Sequence, residues 1–225
     1  MRKYTPVTDD LYDYMTRQRS QTHDPVMDAL RAETATLGEV SQMSVSEVQG
    51  SFLTLFVAAV GAKHAVEVGT FTGASSISIA RGLPPDGRLI CFDRDDQWTS
   101  IAVRYWKQAG VADKIELRLG DAATTLGAFK PSAPLDFVFI DANKDGYDQY
   151  YEALLPHVRA GGVIIFDNMF RHGEVLWPAE KQSIETRTID ALNHKLAADP
   201  RVQSVLIPIA DGLNICRKKS TAGEL

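Results

Sequence analysis

Cysteine is scarce: Cys91 and Cys216 are the two in 225 residues, and each sits inside a β-like run. Two thiols cannot build a disulfide framework. A single bridge is possible on paper, but the reading taken here is two core thiols in a reducing cytosol. Long hydrophobic runs are missing too. The longest, Phe52 to Ala62, is broken by Thr54 and Gly61 and is too short to cross a bilayer. The opening stretch MRKYTPVTDD moves straight into acidic residues and lacks the apolar core of a secretion signal, so a cytoplasmic protein with no membrane attachment is expected. Positive charge is not in excess, with 24 Lys and Arg against 29 Asp and Glu. The net charge of −5 gives no global pull towards nucleic acid, although Arg2, Lys3, Arg17 and Arg19 form a local basic cluster. Internal repeats, low-complexity stretches and Pro/Gly/Ser linkers are also lacking, which leaves one domain over 1–225. At 44% hydrophobic and 24% charged residues, that domain can bury a full core without staples.

What is present is an alternating pattern. The first forty residues read as helices. Asp24-Pro25 is an N-cap followed by proline at the first helical position, with Met27, Leu30, Thr34 and Leu37 on one face. Ser44-x-x-Glu47 reads as a capping box that opens the apolar segment to Val60, with Gly61 as the stop. Strands are then expected at Ala65 to Val68, Arg88 to Phe92, Lys114 to Leu119, Leu135 to Ile140 and Val163 to Phe166. Helices fall between them: Ala74 to Arg81, Asp95 to Gln108, Ala122 to Phe129 and Tyr147 to Val158, then Ala179 to Ala198. Val202 to Ile207 and Leu213 to Arg217 follow as two strands joined at Asp211-Gly212 without a helix, hence antiparallel to one another. Nearly all-apolar strands alternating with helices specify an α/β fold, a doubly wound and mostly parallel sheet covered on both faces.

Ligands of such sheets bind at the carboxyl ends of the strands. The first strand runs into EVGTFTG, Glu67 to Gly73, whose glycines permit a tight turn and close approach of a ligand. After the second comes Asp93, placed to accept hydrogen bonds from both ribose hydroxyls of an adenosine. Gly120-Asp121-Ala122, after the third, suits the adenine edge. A nicotinamide dinucleotide would use similar chemistry, but the spacing is G-x-x-x-G and not G-x-G-x-x-G. Glu67 would also repel a pyrophosphate, whereas S-adenosylmethionine carries a cationic sulfonium and an amino group and suits an acidic neighbour.

The fourth strand ends in FIDANKDGY and the fifth in FDN, so Asp141, Asp167 and Asn168 project from one rim. Each aspartate alone could merely cap a helix. Together they form an all-oxygen donor set suited to Mg²⁺ or Mn²⁺, and carboxylates gathered beside a cavity repel unless a cation compensates them. Lys144 lies three residues past Asp141. Its bland role is a solvated ion pair with Asp145 or Asp148; its chemical one is a general base. His172 is a second candidate base. His23, His64, His157 and His194 read as surface or packing residues.

At these residues the sequence resembles the cation-dependent class I O-methyltransferases typified by caffeoyl-CoA and catechol O-methyltransferases. The likeness runs from about Met43 to Lys218 and is carried by MSVSEVQG, EVGTFTGAS, CFDRD, the GDA after the third strand, FIDANKDGYDQYY, GGVIIFDN and IADGLNIC. It implies a seven-stranded Rossmann-like methyltransferase sheet, usually dimeric, with an N-terminal helical segment over 1–42 that contributes to a substrate cap or dimer contact. It further implies S-adenosylmethionine contacts at Met43, Val45, Glu67, Gly69, Thr70, Ser75, Asp93, Ala122 and Asp141. The metal, Mg²⁺ or another divalent cation such as Mn²⁺ or Ca²⁺, would be ligated by Asp141, Asp167 and Asn168, with Lys144 as base. Two departures stand out. The family usually writes Asp-Ala-Asp-Lys where this chain has Asp141-Ala142-Asn143-Lys144, which keeps ligand and base. Arg171 takes a lip position that is often apolar or aromatic in plant members, which points away from a hydroxycinnamoyl-CoA and towards a small anionic aromatic.

The expected activity is therefore methylation of a hydroxyl on a small catechol-like aromatic, with nucleic acid as an unfavoured partner. Three rivals are separable. A transfer-RNA hydroxyuridine methyltransferase of the same fold would bind RNA with strong salt dependence. An NAD-dependent oxidoreductase would bind NAD. A non-catalytic S-adenosylmethionine-binding module would have no use for the metal and base residues.

Overall fold

The computed structural model describes residues 3–20 and 22–220. Arg2, part of the expected basic cluster, lies outside them. The helices α1 (Asp9–Arg17), α2 (Pro25–Ala35) and α3 (Glu47–Ala59) precede the sheet. There follow β1 (His64–Val68), α4 (Ala74–Gly82), β2 (Arg88–Asp93), α5 (Asp96–Gln108), β3 (Ile115–Leu119), α6 (Ala122–Gly127) and β4 (Leu135–Ile140). After these come α7 (Tyr147–Leu154), β5 (Val158–Phe166), α8 (Ile184–Ala198), β6 (Val202–Ile207) and β7 (Leu213–Lys218). The seven strands form one sheet in the order β3-β2-β1-β4-β5-β7-β6. β1 to β5 are parallel, and β7 runs antiparallel to both β5 and β6. The expected doubly wound, mostly parallel sheet is the fold observed.

Period-two alternation explains how two helical layers are held. Ala65, Leu89, Phe137, Phe139 and Ile165 face one side, against α2 to α5 through Leu30, Leu53, Ile77 and Tyr105. Val66, Val68, Val138, Ile140 and Phe166 face the other, against α7 and α8 through Tyr147, Tyr151, Ile189 and Leu192. Each apolar side chain removed from water contributes about 1.5–3 kcal/mol, so neither layer can slide without losing several such contacts. Cys91 and Cys216 are buried free thiols, one in each core.

Local chemistry moves several boundaries. Ser44 is not the cap of α3: it is extended (ψ 134°) after a 3₁₀ turn over Gly38–Met43. Ser46 caps instead, its hydroxyl accepting from Gln49 N at 3.3 Å. α7 stops at Leu154 because Pro156, in the turn Leu155–His157, has no N–H to continue it. β5 consequently begins at Val158, five residues before the expected start, and absorbs Gly161 and Gly162 where its register with β4 shifts between Leu135 and Phe137. α8 begins at Ile184, where Ser183 Oγ accepts from Thr186 N at 3.1 Å, and a short 3₁₀ turn covers Ala179–Lys181. The basic cluster is also dispersed: Arg19 turns inward and donates to Glu47 O and Ser51 Oγ.

Strand order reverses between β1 and β4, which opens a crevice at the carboxyl edge. The parallel ladder continues past the strand ends: Gly69 N donates to Phe92 O, Gly120 N to Asp93 O, Asp141 N to Val68 O and Asp167 N to Ile140 O. The segments that leave β1, β3, β4 and β5 are thereby fixed on one rim.

Candidate active site

A cavity of about 750 Å³ opens at that rim, within the range of roughly 300–1,000 Å³ of small-molecule sites. Its walls include Met43, Val45, Gly69, Thr70, Ser75, Asp93, Ala122, Asp141, Lys144, Asp167 and Asn168. The structure thus brings together the predicted cofactor, metal and base residues except Glu67, which lies behind the wall, fully buried. Gly73 and Gly120, also singled out in the sequence, shape the adjoining loops without lining the cavity.

The loop after β1 is held by close packing. Gly69 has φ +91°, and a Cβ there would overlap the backbone carbonyl of Asp141. Gly73 (φ +94°) lies against Ala102 and the Trp106 indole of α5. Asp93 organises the same loop: Oδ2 accepts from Thr70 N at 2.7 Å and Phe71 N at 2.9 Å, and Oδ1 accepts from Asp95 N at 2.9 Å. A carboxylate offers about four lone-pair sites, so Asp93 keeps acceptor capacity towards the cavity while fixing its own wall. Asp121, offered by the sequence for an adenine edge, caps α6 by accepting from Thr124 N at 2.9 Å, and it too lines the cavity.

Both carboxylate oxygens of Glu67 are buried without a hydrogen-bond partner. Burial pushes its pKa up to about 7, opposed by the nearby Ser75, Cys91 and Thr70 groups and reinforced by Asp141. A desolvated acid of this kind behind a ligand wall favours a cationic group in front of it.

The second half of the site is built from β4, β5 and α3. Asp167 is buried, and its pKa is pushed up to about 7, chiefly by burial and then by Asp141; Lys144 and the hydrogen bond from Gln49 work the other way. Its Oδ1 accepts from Asn168 N at 2.6 Å and its Oδ2 from Gln49 Nε2 at 2.6 Å. Lys144 Nζ donates to Asp141 Oδ1 at 2.9 Å and to Tyr147 Oη at 2.6 Å, while Tyr147 Oη donates to Asp167 O at 3.2 Å. The ion pair of Lys144 is therefore with Asp141, not with Asp145 or Asp148. Asn168 stands in the left-handed region (φ +56°), uncommon for a non-glycine residue.

Strain marks the site as a whole. Among the described residues the non-glycine positions with positive φ are Phe71, Asn168, Arg171, His172 and Ala210, and all five line this cavity. Each costs on the order of 1–3 kcal/mol and persists where surrounding structure over-determines it. At the lip, Arg171 Nη2 donates to Glu185 Oε2 at 2.7 Å and His172 N to Asp211 Oδ1 at 2.7 Å. The His172 side chain is 79% exposed.

Sequence reasoning missed Gln49, Tyr147 and Asp211. Gln49 could have been found as a polar residue on an otherwise apolar helix face. Tyr147 read as the first residue of a helix and Asp211 as half of a turn, and only the fold shows where they point.

From this geometry Asp93→Ala is expected to weaken binding of an adenosine-bearing cofactor at least tenfold, since each charge-assisted hydrogen bond is worth about 1.5–3 kcal/mol. Because Asp93 also holds Thr70 and Phe71, Asp93→Asn should lose less. Unchanged cofactor affinity by calorimetry in both variants would refute the assignment.

A family model described as O-methyltransferase matches residues 17–219. Probable caffeoyl-CoA O-methyltransferase 2 of Dictyostelium discoideum is 40% identical over 173 residues, 76% of this chain and 75% of its own. Caffeoyl-CoA O-methyltransferase 1 of Arabidopsis thaliana is 34% identical over 223 residues, 95% of this chain and 86% of its own. The solved structure of the O-methyltransferase TomG from Streptomyces achromogenes, involved in tomaymycin synthesis and in complex with SAM, aligns with a TM-score of 0.86 at 28% identity. That alignment covers 94% of this chain and 96% of TomG.

Proposed function

The chain belongs to the O-methyltransferase family and is an S-adenosylmethionine-dependent O-methyltransferase, and from that premise we propose that it methylates a hydroxyl of a small catechol-like or other vicinal-dihydroxy aromatic with the help of a divalent cation. The observation that carries the proposal is the convergence of Asp141, Asp167 and Asn168 with Lys144 on one cavity wall, beside the residues that suit the cofactor.

The donor set fits a hard cation. Among the described residues no cluster of three His, Cys, Asp or Glu side chains forms a metal site, so zinc-type ligation has no support, while two carboxylates and an amide oxygen suit Mg²⁺, Mn²⁺ or Ca²⁺. The pKa of Asp167 is raised first by burial and then by the charge of Asp141, and a bound cation would offset both. When bound, the cation would acidify a substrate hydroxyl and S-adenosylmethionine would supply the methyl group. Met43, Val45, Gly69, Thr70, Ser75, Asp93, Ala122 and Asp141 hold the cofactor, with Glu67 as the acid behind them. Lys144 Nζ removes the proton of the attacking hydroxyl, oriented by its bonds to Asp141 and Tyr147. Much of the rate gain comes from holding acceptor and donor in contact inside the cavity.

The proposal extends to a single cytoplasmic domain that works as a homodimer, with the segment 1–42 capping the substrate or meeting the partner copy. Gln42 in the cavity wall and the exposed Tyr4, Val7 and Tyr14 support that role. No helix among the described residues is long and apolar enough to cross a membrane.

The test is a methyl-transfer screen of catechols, flavonoids, hydroxycinnamates and hydroxylated transfer RNA, each with and without EDTA. Cation-dependent turnover of a vicinal-dihydroxy aromatic is the expected result. Turnover of transfer RNA alone, or of any acceptor equally well in EDTA, would overturn it.

A further inference from the structure

Resting on the cation reading above, we propose that Gln49 is a positioning residue for Asp167, and through it for the divalent-cation site. Gln49 is 1% exposed and Asp167 3%, so the 2.6 Å hydrogen bond from Gln49 Nε2 to Asp167 Oδ2 is largely shielded from bulk water at the cavity wall. The partner is acceptor-only when ionised, which fixes the amide with its nitrogen facing it. With Asn168 N donating to Oδ1 at 2.6 Å, the carboxylate is gripped at both ends and its plane is set. Each oxygen keeps a free lone pair, so the grip orients the group without using up its ligating capacity.

The choice of an amide follows from charge. Asp141 and Asp167 already place two carboxylates on the wall that Gln49 shares, and a glutamate at position 49 would add a third anion. A lysine would supply a competing cation. Glutamine stabilises the ionised carboxylate with a neutral donor and leaves the compensating charge to the metal. The helix that carries it is anchored independently: Ser46 Oγ accepts from Gln49 N, and Thr54 Oγ1 donates to Ser78 O of α4 at 2.8 Å. Gln49 therefore reaches Asp167 from a fixed backbone. It stands in the first turn of α3 and lines the cavity together with Met43, Val45 and Ser46.

Outer-sphere partners of metal ligands are typically worth 10–100-fold in metal affinity. Mn²⁺ titration of the metal-free full-length chain, followed by electron paramagnetic resonance, reads this directly, with thermal melting to confirm folding. Gln49→Leu should weaken Mn²⁺ binding about 10–100-fold and leave S-adenosylhomocysteine affinity without metal unchanged. Turnover should fall at low Mg²⁺ and recover at saturating Mg²⁺, a split that a general loss of packing would not produce. Gln49→Met, longer and more adaptable, serves if the leucine variant fails to fold. Wild-type Mn²⁺ affinity in the folded variants, with binding abolished in Asp167→Asn, would overturn the role of Gln49 and leave the cation site standing. Failure of the wild type to bind Mn²⁺ would remove the cation site and this proposal together.

Discussion

Lys144→Ala is expected to lower kcat by about 10²–10³-fold, at the lower end of the roughly 10²–10⁴-fold typical for removing a general base. On the proposed mechanism a bound cation would itself favour ionisation of the acceptor hydroxyl, which would leave the base only part of the proton-transfer energy to supply. Lys144 donates to Asp141 Oδ1 and Tyr147 Oη and has a side chain only 12% exposed, so its amine is held at a fixed place on the cavity wall. Its contribution belongs to the transition state, and KM for either substrate should change far less than kcat. Lys144→Arg should rescue little, because a guanidinium stays protonated at any working pH. His172→Ala supplies the contrast. That imidazole is mostly solvent-exposed, and what the lip takes from residue 172 is its backbone N–H on Asp211. A near-normal kcat in Lys144→Ala together with a collapse in His172→Ala would reassign the base without touching the methyltransferase identity.

The legible parts of this molecule are those in which one residue's neighbours in sequence are also its partners. Period-two apolar strands and the Asp24 cap are local, and the sheet, helices and rim follow from them. Asp141, Asp167 and Asn168 were legible because strand ends of a parallel sheet share one edge. What stayed hidden depends on long-range contacts. Ser44 and Ser46 both satisfy the local rule for a cap, and the 3₁₀ turn over Gly38–Met43 decides between them. Gln49 lies 118 residues from Asp167, so the sequence marks it as a polar residue on an apolar helix face but cannot name its partner. Asp93 read as a pure ligand acceptor, yet its carboxylate also holds Thr70 and Phe71, backbone groups brought to it by the turn at Gly69. Spacing cannot show the five strained non-glycine residues around the cavity, since positive φ at Phe71 or Arg171 runs against residue preference and is imposed by the fold.

Removing the cation ligands should have the most complete effect: EDTA should silence the wild type, added Mg²⁺ should restore it, and Asp167→Ala or Asn168→Ala should show no metal-supported turnover. Stability separates this loss from unfolding. Asp167 has a folded pKa of about 7, raised from 3.8 by burial and by Asp141. A group raised in the folded state stabilises it below the unfolded pKa and loses that contribution as pH rises through the folded value. In metal-free protein, ionised Asp167 is therefore a liability near neutral pH, and the wild type should lose stability between about pH 4 and pH 7. Asp167→Asn, which has no charge to desolvate, should lose the Asp167 share of that slope while keeping the share of buried Glu67, and should melt no lower than the wild type at pH 7 in EDTA. Added Mg²⁺ should raise the melting temperature of the wild type only, less effectively as pH falls below 7, because protons compete with the metal for the carboxylate. Asn168→Ala also places alanine at φ +56°, so Asn168→Gly is its strain-free companion and should be equally inactive. Full turnover in thoroughly demetallated enzyme, or Mg²⁺ stabilisation that persists in Asp167→Asn, would contradict the all-oxygen site.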